Sequence, residues 1–273
     1  MIVAADMHRI RAAARVRLFV LEVHLITIYW AGDSTAAQNS IVTWPQTGIA
    51  QEFERFLKPC EVRVENHAMN GRSTKSFMDE GRLAVIEARI EEGDFLFIQF
   101  GHNDEKPEDP TRYADPDSGF PENLEIFVNV ARNKGAIPVI ITPVTRFNRN
   151  APGALYKHDR WAESARRTGE KLDVAVIDLT TMSEQLVDAM GDTAATTFFM
   201  NLPAGVYPHF PKGQKDNTHL QPAGAVAFGA LIAKGLYQLG GKYAEILCDG
   251  FEQYLQEEAH FGMETTAAEE VEK

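Results

Sequence analysis

The chain has 273 residues, and 27 Lys and Arg against 39 Asp and Glu leave a formal net charge of −12 at pH 7. Hydrophobic residues make up 44% and charged residues 24%, a globular balance that excludes intrinsic disorder, and the length suffices to bury a sizeable core without staples. An acidic surface repels phosphate backbones, so nucleic acid is excluded as a general partner. The two cysteines, Cys60 and Cys248, exclude a disulfide-rich scaffold and a Cys-ligated zinc module. One bridge between them stays open.

In chain order, residues 1–22 read as a basic N-terminal extension, with Arg9, Arg11, Arg15 and Arg17. The apolar stretch from Val16 to Trp30 is broken by Arg17, Glu22 and His24. It is not the apolar span of about 20 residues that a bilayer requires, nor a clean signal peptide. The expectation is a cytoplasmic protein with no membrane partner, a secreted form staying open. A single α/β domain is expected over 23–241, followed by an acidic, partly helical tail over 242–273.

The first strand is expected at Leu25–Trp30, and a helix at Trp44–Leu57 with Ile49, Phe53 and Phe56 at helical spacing. A short strand follows at Val62–Val64. Ser73 is an N-cap candidate, with the helix continuing over Arg82–Ile90. Phe95–Phe100 is a bounded apolar run, the mark of a buried parallel strand. The segment Asp104–Pro121 reads as a long polar loop outside the core. Pro121 opens a helix through Asn133 that Gly135 closes, and Ile137–Thr142 is the fourth strand. A helix at Tyr156–Lys171, a fifth strand at Val174–Asp178, and helices at Thr180–Met190 and Pro222–Leu239 complete the pattern. This alternation implies a five-stranded parallel sheet covered by helices on both faces, with the loops at the strands' C-terminal ends gathered on one ligand-binding edge.

Four segments fall at strand ends. Gly32-Asp33-Ser34-Thr35 can present a hydroxyl and a backbone N–H at the sheet edge, although Gly-Asp-Ser is also a common turn. Asn70-Gly71-Arg72-Ser73 offers a close backbone approach at Gly71. Gly101-His102-Asn103-Asp104 supplies an amide N–H donor suited to a developing oxyanion, or an Asx-type turn. Asp216-Asn217-Thr218-His219 can deliver a general base and the acid that fixes its tautomer from one loop. A metal-ligand reading of Asp216 and His219 finds no further His or Cys cluster to complete it.

The ordered set of Ser34, Gly71, Asn103 and Asp216-x-x-His219 resembles the SGNH (GDSL) hydrolase superfamily. Within it, the chain is similar to the rhamnogalacturonan acetylesterases through Ala31–Thr35, Asn70–Ser73, Phe100–Asp104, Thr142–Arg146, Tyr207-Pro208 with Gly213, and Asp216–His219. The superfamily pattern has Leu after the nucleophile; Thr35 stands there in this chain, which favours the acetylesterase branch.

The resemblance implies a flavodoxin-like three-layer α/β/α sandwich and an esterase acting on acetyl groups of pectic oligosaccharides. It makes Ser34 the nucleophile, His219 the base and Asp216 its orienting acid, with the N–H groups of Ser34 and Gly71 and the Asn103 side chain as the oxyanion hole. No metal or organic cofactor is expected. Arg72 and Arg146 are candidates for a uronate carboxylate, and Trp44 and Tyr207 for stacking on sugar rings. His102 ranks below His219 as the base because no Asp stands beside it at that spacing. His67, His158 and His209 read as surface or loop residues. Another SGNH esterase, a lipase or thioesterase, and a non-catalytic carbohydrate-binding module are the alternatives.

Overall fold

The computed structural model describes residues 25–151, 154–156 and 158–253. The N-terminal extension and the chain beyond residue 253 lie outside these residues. Five strands form one parallel sheet: β1 (Ile26–Gly32), β2 (Val62–Asn66), β3 (Phe95–Gln99), β4 (Ile137–Ile141) and, after a hairpin of β5 (Arg146–Ala151) and β6 (Ala154–Tyr156), β7 (Ala175–Ile177). Their order is β2-β1-β3-β4-β7, and every neighbouring pair is parallel. The chain therefore winds outward in both directions from β1 and β3, and ligands of open α/β sheets bind where the strand order reverses.

Alternation along the strands builds two cores. Ile28 and Trp30 of β1, with Phe95 and Phe97 of β3, face one side, against α1 (Ile49–Glu52), α6 (Leu179–Ala195) and α7 (Pro222–Leu239). Tyr29, Ala31, Leu96 and Ile98 face the other. There they meet α2 (Thr74–Asp79), α3 (Arg82–Glu87), α4 (Gly119–Asn133) and α5 (Asp159–Leu172). All five residues of β3 are buried, as a central strand covered on both faces must be. Two polar contacts clip β1 to the β3 segment beside it. Asp94 accepts from the Thr27 N–H at 2.8 Å, and Gln99 accepts from the Trp30 indole at 3.1 Å.

Several elements differ from expectation. The helix expected from Trp44 starts only at Ile49, because Pro45 biases Trp44 away from helical backbone and a turn intervenes. It then tightens into a 3-10 segment over Phe53–Phe56. Gly81 separates α2 from α3. Residues expected to open a helix at Tyr156 instead pair in the β5–β6 hairpin. The packed body also extends past residue 241, the expected end of the domain. Ile246, Leu247 and Phe251 are buried, and Leu247 bridges Leu57. Cys60 and Cys248 are both free thiols. Among the described residues, no helix is long and apolar enough to cross a membrane.

Candidate active site

Ser34 follows β1 by two residues, Gly71 follows β2 and Asn103 follows β3, so the three neighbouring strands deliver their C-terminal loops to one edge. The Met69 N–H donates to the Gly32 carbonyl at 3.0 Å, binding the second loop to the first. Gly71 has φ +80°, a left-handed conformation that costs glycine nothing. Gly101 has φ +143°, and a Cβ there would stand 2.8 Å from Pro143 Cγ, so the third loop leaves β3 by a path open only to glycine. The backbone N–H groups of Ser34 and Gly71 have no acceptor among the described residues.

The loop after Gly213 carries the partners. Asp216 uses its two oxygens differently. Oδ1 accepts from the backbone N–H of Thr218 at 2.9 Å and of His219 at 3.0 Å, which closes the loop as an Asx turn. Oδ2 meets His219 Nδ1 at 2.7 Å and also accepts from the Gln214 amide at 3.2 Å. His219 Nε2 then lies 3.0 Å from Ser34 Oγ. Burial alone would raise the Asp216 pKa. The His219 ring and the two backbone N–H groups outweigh it and hold the carboxyl well below the usual carboxylate range. The loop itself is pinned from several sides. The Phe147 N–H donates to the Asn217 carbonyl at 2.8 Å, Met200 to the His219 carbonyl at 2.8 Å, and Thr47 to the Leu220 carbonyl at 2.9 Å.

Asn103 is 4% exposed, and both ends of its amide are engaged. Nδ2 donates one hydrogen to the Arg72 carbonyl at 3.0 Å. Oδ1 accepts from Lys106 Nζ at 3.1 Å and from Arg112 Nη1 at 3.2 Å. A cavity of about 490 Å³ opens beside Gly71, lined by Arg72, Ser76, Asp79, Glu80, Thr111 and Arg112.

A buried charge network underlies these loops, and most of it escaped the reading of the sequence. Asp33 lies 3.3 Å from His102 Nδ1, so His102 does have a carboxylate partner. That pair is buried, however, and among the described residues only His219 is hydrogen-bonded to the Ser34 hydroxyl. His102 packs edge-on against His158 with ring centroids 4.2 Å apart. His158 is buried, not a surface residue. Its Nδ1 meets Glu105 Oε2 at 2.7 Å, and Glu105 Oε1 accepts from Arg146 Nη2 at 2.8 Å. Burial, followed by neighbouring His102, lowers the His158 pKa to about 4 against the opposing pull of Glu105. Asp104 is also fully buried, although the segment it opens was expected outside the core. Burial lifts its pKa to about 7 despite hydrogen bonds from Thr74.

Of the four expected substrate contacts, the two arginines are engaged within the protein. Arg146 donates from Nη1 to Thr218 Oγ1 at 2.6 Å and from Nη2 to the His102 carbonyl at 3.3 Å, as well as to Glu105. It is a strut between the third loop and the Asp216–His219 loop, because it leads off the hairpin that sequence periodicity missed. Arg72 holds both Glu80 oxygens through Nε at 3.0 Å and its Nη1 bonds the Asn70 carbonyl at 2.8 Å; its side chain still lines the cavity. Trp44 is 45% exposed, in the turn that Thr47 ties to Leu220, next to His219. Tyr207 is partly buried in a small bridge with Phe210, and among the described residues no hydrogen bond joins it to Ser34, His219 or Asp216. Among the described residues, no group of three or more His, Cys, Asp or Glu could hold a metal ion.

A parallel sheet of order β2-β1-β3-β4-β7 with a serine, a histidine and an aspartate in hydrogen-bonded sequence at its switch point defines an α/β carboxylic ester hydrolase of SGNH type. The chain belongs to the GDSL-like lipase/acylhydrolase family, whose model matches residues 30–226. It is 37% identical over 216 residues to rhamnogalacturonan acetylesterase RhgT of Bacillus subtilis, covering 79% of this chain and 91% of that one. It is 28% identical over 195 residues to the rhamnogalacturonan acetylesterase of Emericella nidulans, covering 64% and 76%. Among solved structures, the protein YxiM of B. subtilis superposes with a TM-score of 0.68 at 25% identity, over 79% of this chain and 57% of that one. The acetylxylan esterase Axe2 of Geobacillus stearothermophilus shares the fold, with a TM-score of 0.54 at 15% identity, over 80% and 95%.

Proposed function

We propose that this protein removes acetyl groups from acetylated rhamnogalacturonan-type oligosaccharides by acyl transfer through Ser34. The observation that carries the reading is the continuous chain from Ser34 Oγ to His219 Nε2 at 3.0 Å and from His219 Nδ1 to Asp216 at 2.7 Å, beside backbone N–H groups that have no acceptor among the described residues. Its relatives' names supply the substrate class.

His219 Nε2 takes the Ser34 proton as Oγ bonds to the acetyl carbonyl carbon. The carbonyl oxygen becomes an oxyanion, met by the N–H groups of Ser34 and Gly71 and by the second Asn103 Nδ2 hydrogen, the one not given to Arg72. Donors of this kind contribute on the order of 3 kcal/mol each. The ester C–O bond then breaks, and His219 returns the proton to the departing sugar oxygen. Water attacks the acetyl-enzyme with His219 again as base, and acetate leaves with Ser34 regenerated. Asp216 stays ionised throughout, holding the imidazole and stabilising its cation. The cavity beside Gly71 is the space assigned to the sugar, and Trp44, exposed in the turn that Thr47 ties to Leu220, is the aromatic face assigned to it.

The test is acetate release from acetylated rhamnogalacturonan oligosaccharides, with p-nitrophenyl acetate and p-nitrophenyl octanoate alongside, for wild type and Ser34→Ala. Turnover of both acetyl substrates, weak on octanoate and abolished in the variant, is expected. Activity surviving Ser34→Ala overturns the nucleophile assignment. Octanoate turnover without release from the sugar overturns the substrate class.

A further inference from the structure

We propose that Lys106 and Arg112 are positioning residues that lock the Asn103 amide in one orientation and strengthen its N–H as an oxyanion donor. The inference rests on the ester-hydrolase reading of the site and adds to it two residues on a loop that sequence patterning marked only as polar.

An asparagine side chain can rotate by half a turn and exchange its oxygen for its nitrogen at almost no steric cost. As an oxyanion donor it works only with nitrogen forward. Here the choice is forced. Oδ1 faces two cations, Lys106 Nζ at 3.1 Å and Arg112 Nη1 at 3.2 Å, while Nδ2 faces the Arg72 carbonyl at 3.0 Å. Neither cation has an acceptor lone pair to offer. The flipped amide would set its N–H₂ against two cationic donors and its oxygen against a carbonyl, losing all three bonds at once. The same arrangement polarises the group. Two charge-assisted bonds to Oδ1 draw electron density along the O–C–N system, and hydrogen bonds in series reinforce one another in a low-dielectric site. The remaining N–H becomes a stronger donor to a full negative charge than an amide solvated by water.

The neighbourhood supports a dedicated role. Arg112 is itself anchored by Asp109, Nε to Oδ2 at 2.6 Å, and Asp109 is fixed by the Thr111 N–H at 3.1 Å. Arg112 Nη1 also lies 4.0 Å from where a Cβ on Gly71 would stand, so one guanidinium borders two of the three donors. The Arg72 carbonyl that receives Nδ2 belongs to the residue after Gly71, which ties the side-chain donor to the backbone donor. Burial, then the neighbouring Arg112 and Arg146 charges, hold the Lys106 ammonium below the ordinary lysine range, so its charge is kept there against opposition.

The experiment is a double-mutant cycle on p-nitrophenyl acetate. Lys106→Met, Arg112→Met and Lys106→Arg are each made with Asn103 present and with Asn103→Ala, using the full chain, with Ser34→Ala as the blank. Full loss of an oxyanion donor lowers kcat by about 10²–10³-fold. Each Met variant is expected to lower kcat by roughly tenfold with KM unchanged. Lys106→Arg, which keeps a cationic donor, should restore most of it. With Asn103 already replaced, the same substitutions should change kcat by less than about twofold. Equal fold losses in both backgrounds, or a loss carried by KM, overturn the proposal, because a general weakening of the fold would act whether or not Asn103 is present. If Ser34→Ala abolishes turnover while the cycle is additive, the positioning role falls and the nucleophile assignment stands. If Ser34→Ala retains turnover, both fall.

Discussion

Replacing Arg146 with Met separates two roles for this residue. A uronate-binding arginine would leave stability intact and raise KM on the acetylated oligosaccharide. The structure instead ties Arg146 to Glu105 Oε1 at 2.8 Å, to Thr218 Oγ1 at 2.6 Å and to the His102 carbonyl at 3.3 Å. The pair is well buried, at 19% exposure for the Arg146 side chain and 8% for Glu105. Removing one partner of a buried ion pair costs about 3–5 kcal/mol, since the other charge is left without it. The residual exposure of Arg146 and the second contact of Glu105, to His158, favour the lower end. For a chain of this size, about 3 kcal/mol lowers Tm by roughly 6–12 °C. Arg146→Met/Glu105→Gln removes both charges while a glutamine oxygen can still accept from His158, so it should recover more than half of that loss. Calorimetry of wild type, both single variants and the double variant measures it, and KM on the oligosaccharide is read in parallel. A Tm within about 2 °C of wild type with a raised KM would refute the strut and return Arg146 to the substrate.

Two further outcomes are expected. The buried His158 and Asp104 titrate with opposite signs of linkage. His158 is lowered from 6.5 to about 4, so the unfolded chain takes up its proton first and stability falls as pH drops from 6.5 towards 4. Asp104 is raised from 3.8 to about 7, so the folded chain takes up its proton first and stability rises over much of the same window. Each acts with a slope of at most about 1.4 kcal/mol per pH unit. Asp104→Asn should therefore steepen the loss of stability between pH 6.5 and 4.5, and His158→Gln should reverse it; denaturant titrations giving parallel slopes for both variants would contradict the assignment. For the exposed Trp44, Trp44→Ala should raise KM on the oligosaccharide severalfold, the scale of one lost stacking contact of about 1 kcal/mol. It should leave p-nitrophenyl acetate turnover unchanged, and steady-state kinetics on the two substrates read it directly.

The sheet was legible because its strands are short apolar runs closed by glycine or polar turns. Phe95–Gln99, buried on both faces, and Pro222–Leu239, with Pro at its first position, stand where the pattern put them. Ser73 caps α2 with a reciprocal bond to Ser76. The errors have local causes. Periodicity at Ile49, Phe53 and Phe56 was real, yet the helix cannot run back through Pro45. The hairpin of β5 and β6 carries polar residues such as Arg146 and Asn148, and it is held by the Asp216–His219 loop through Asn217, which donates to Asn148 Oδ1 at 2.7 Å. Contacts so distant in sequence leave no period to read.

The site divides in the same way. Residues proposed to meet the reacting atoms sit in short loops directly after strands, where sequence order and parallel topology together make them converge; Ser34, Gly71 and Asn103 are of this kind. Residues that hold those groups in place come from wherever the chain passes close by. Lys106 and Arg112 sit on a polar loop, Glu105 at its buried beginning, and His158 at the start of α5 with φ +50°. Each is a charged or titratable side chain whose role depends on its particular partners, from Asn103 three residues before Lys106 to Glu105 far along the chain from His158. The net charge of −12 hides this, because the cations that matter are concentrated around one amide. Lys106 and Arg112 converge on Asn103 Oδ1, and Arg146 braces the loop beside it. The proposed site must stabilise a transient negative charge and needs local positive potential, and here it comes from partly exposed cations held 3.1 and 3.2 Å from a buried amide oxygen, close enough for each charge to act on it directly.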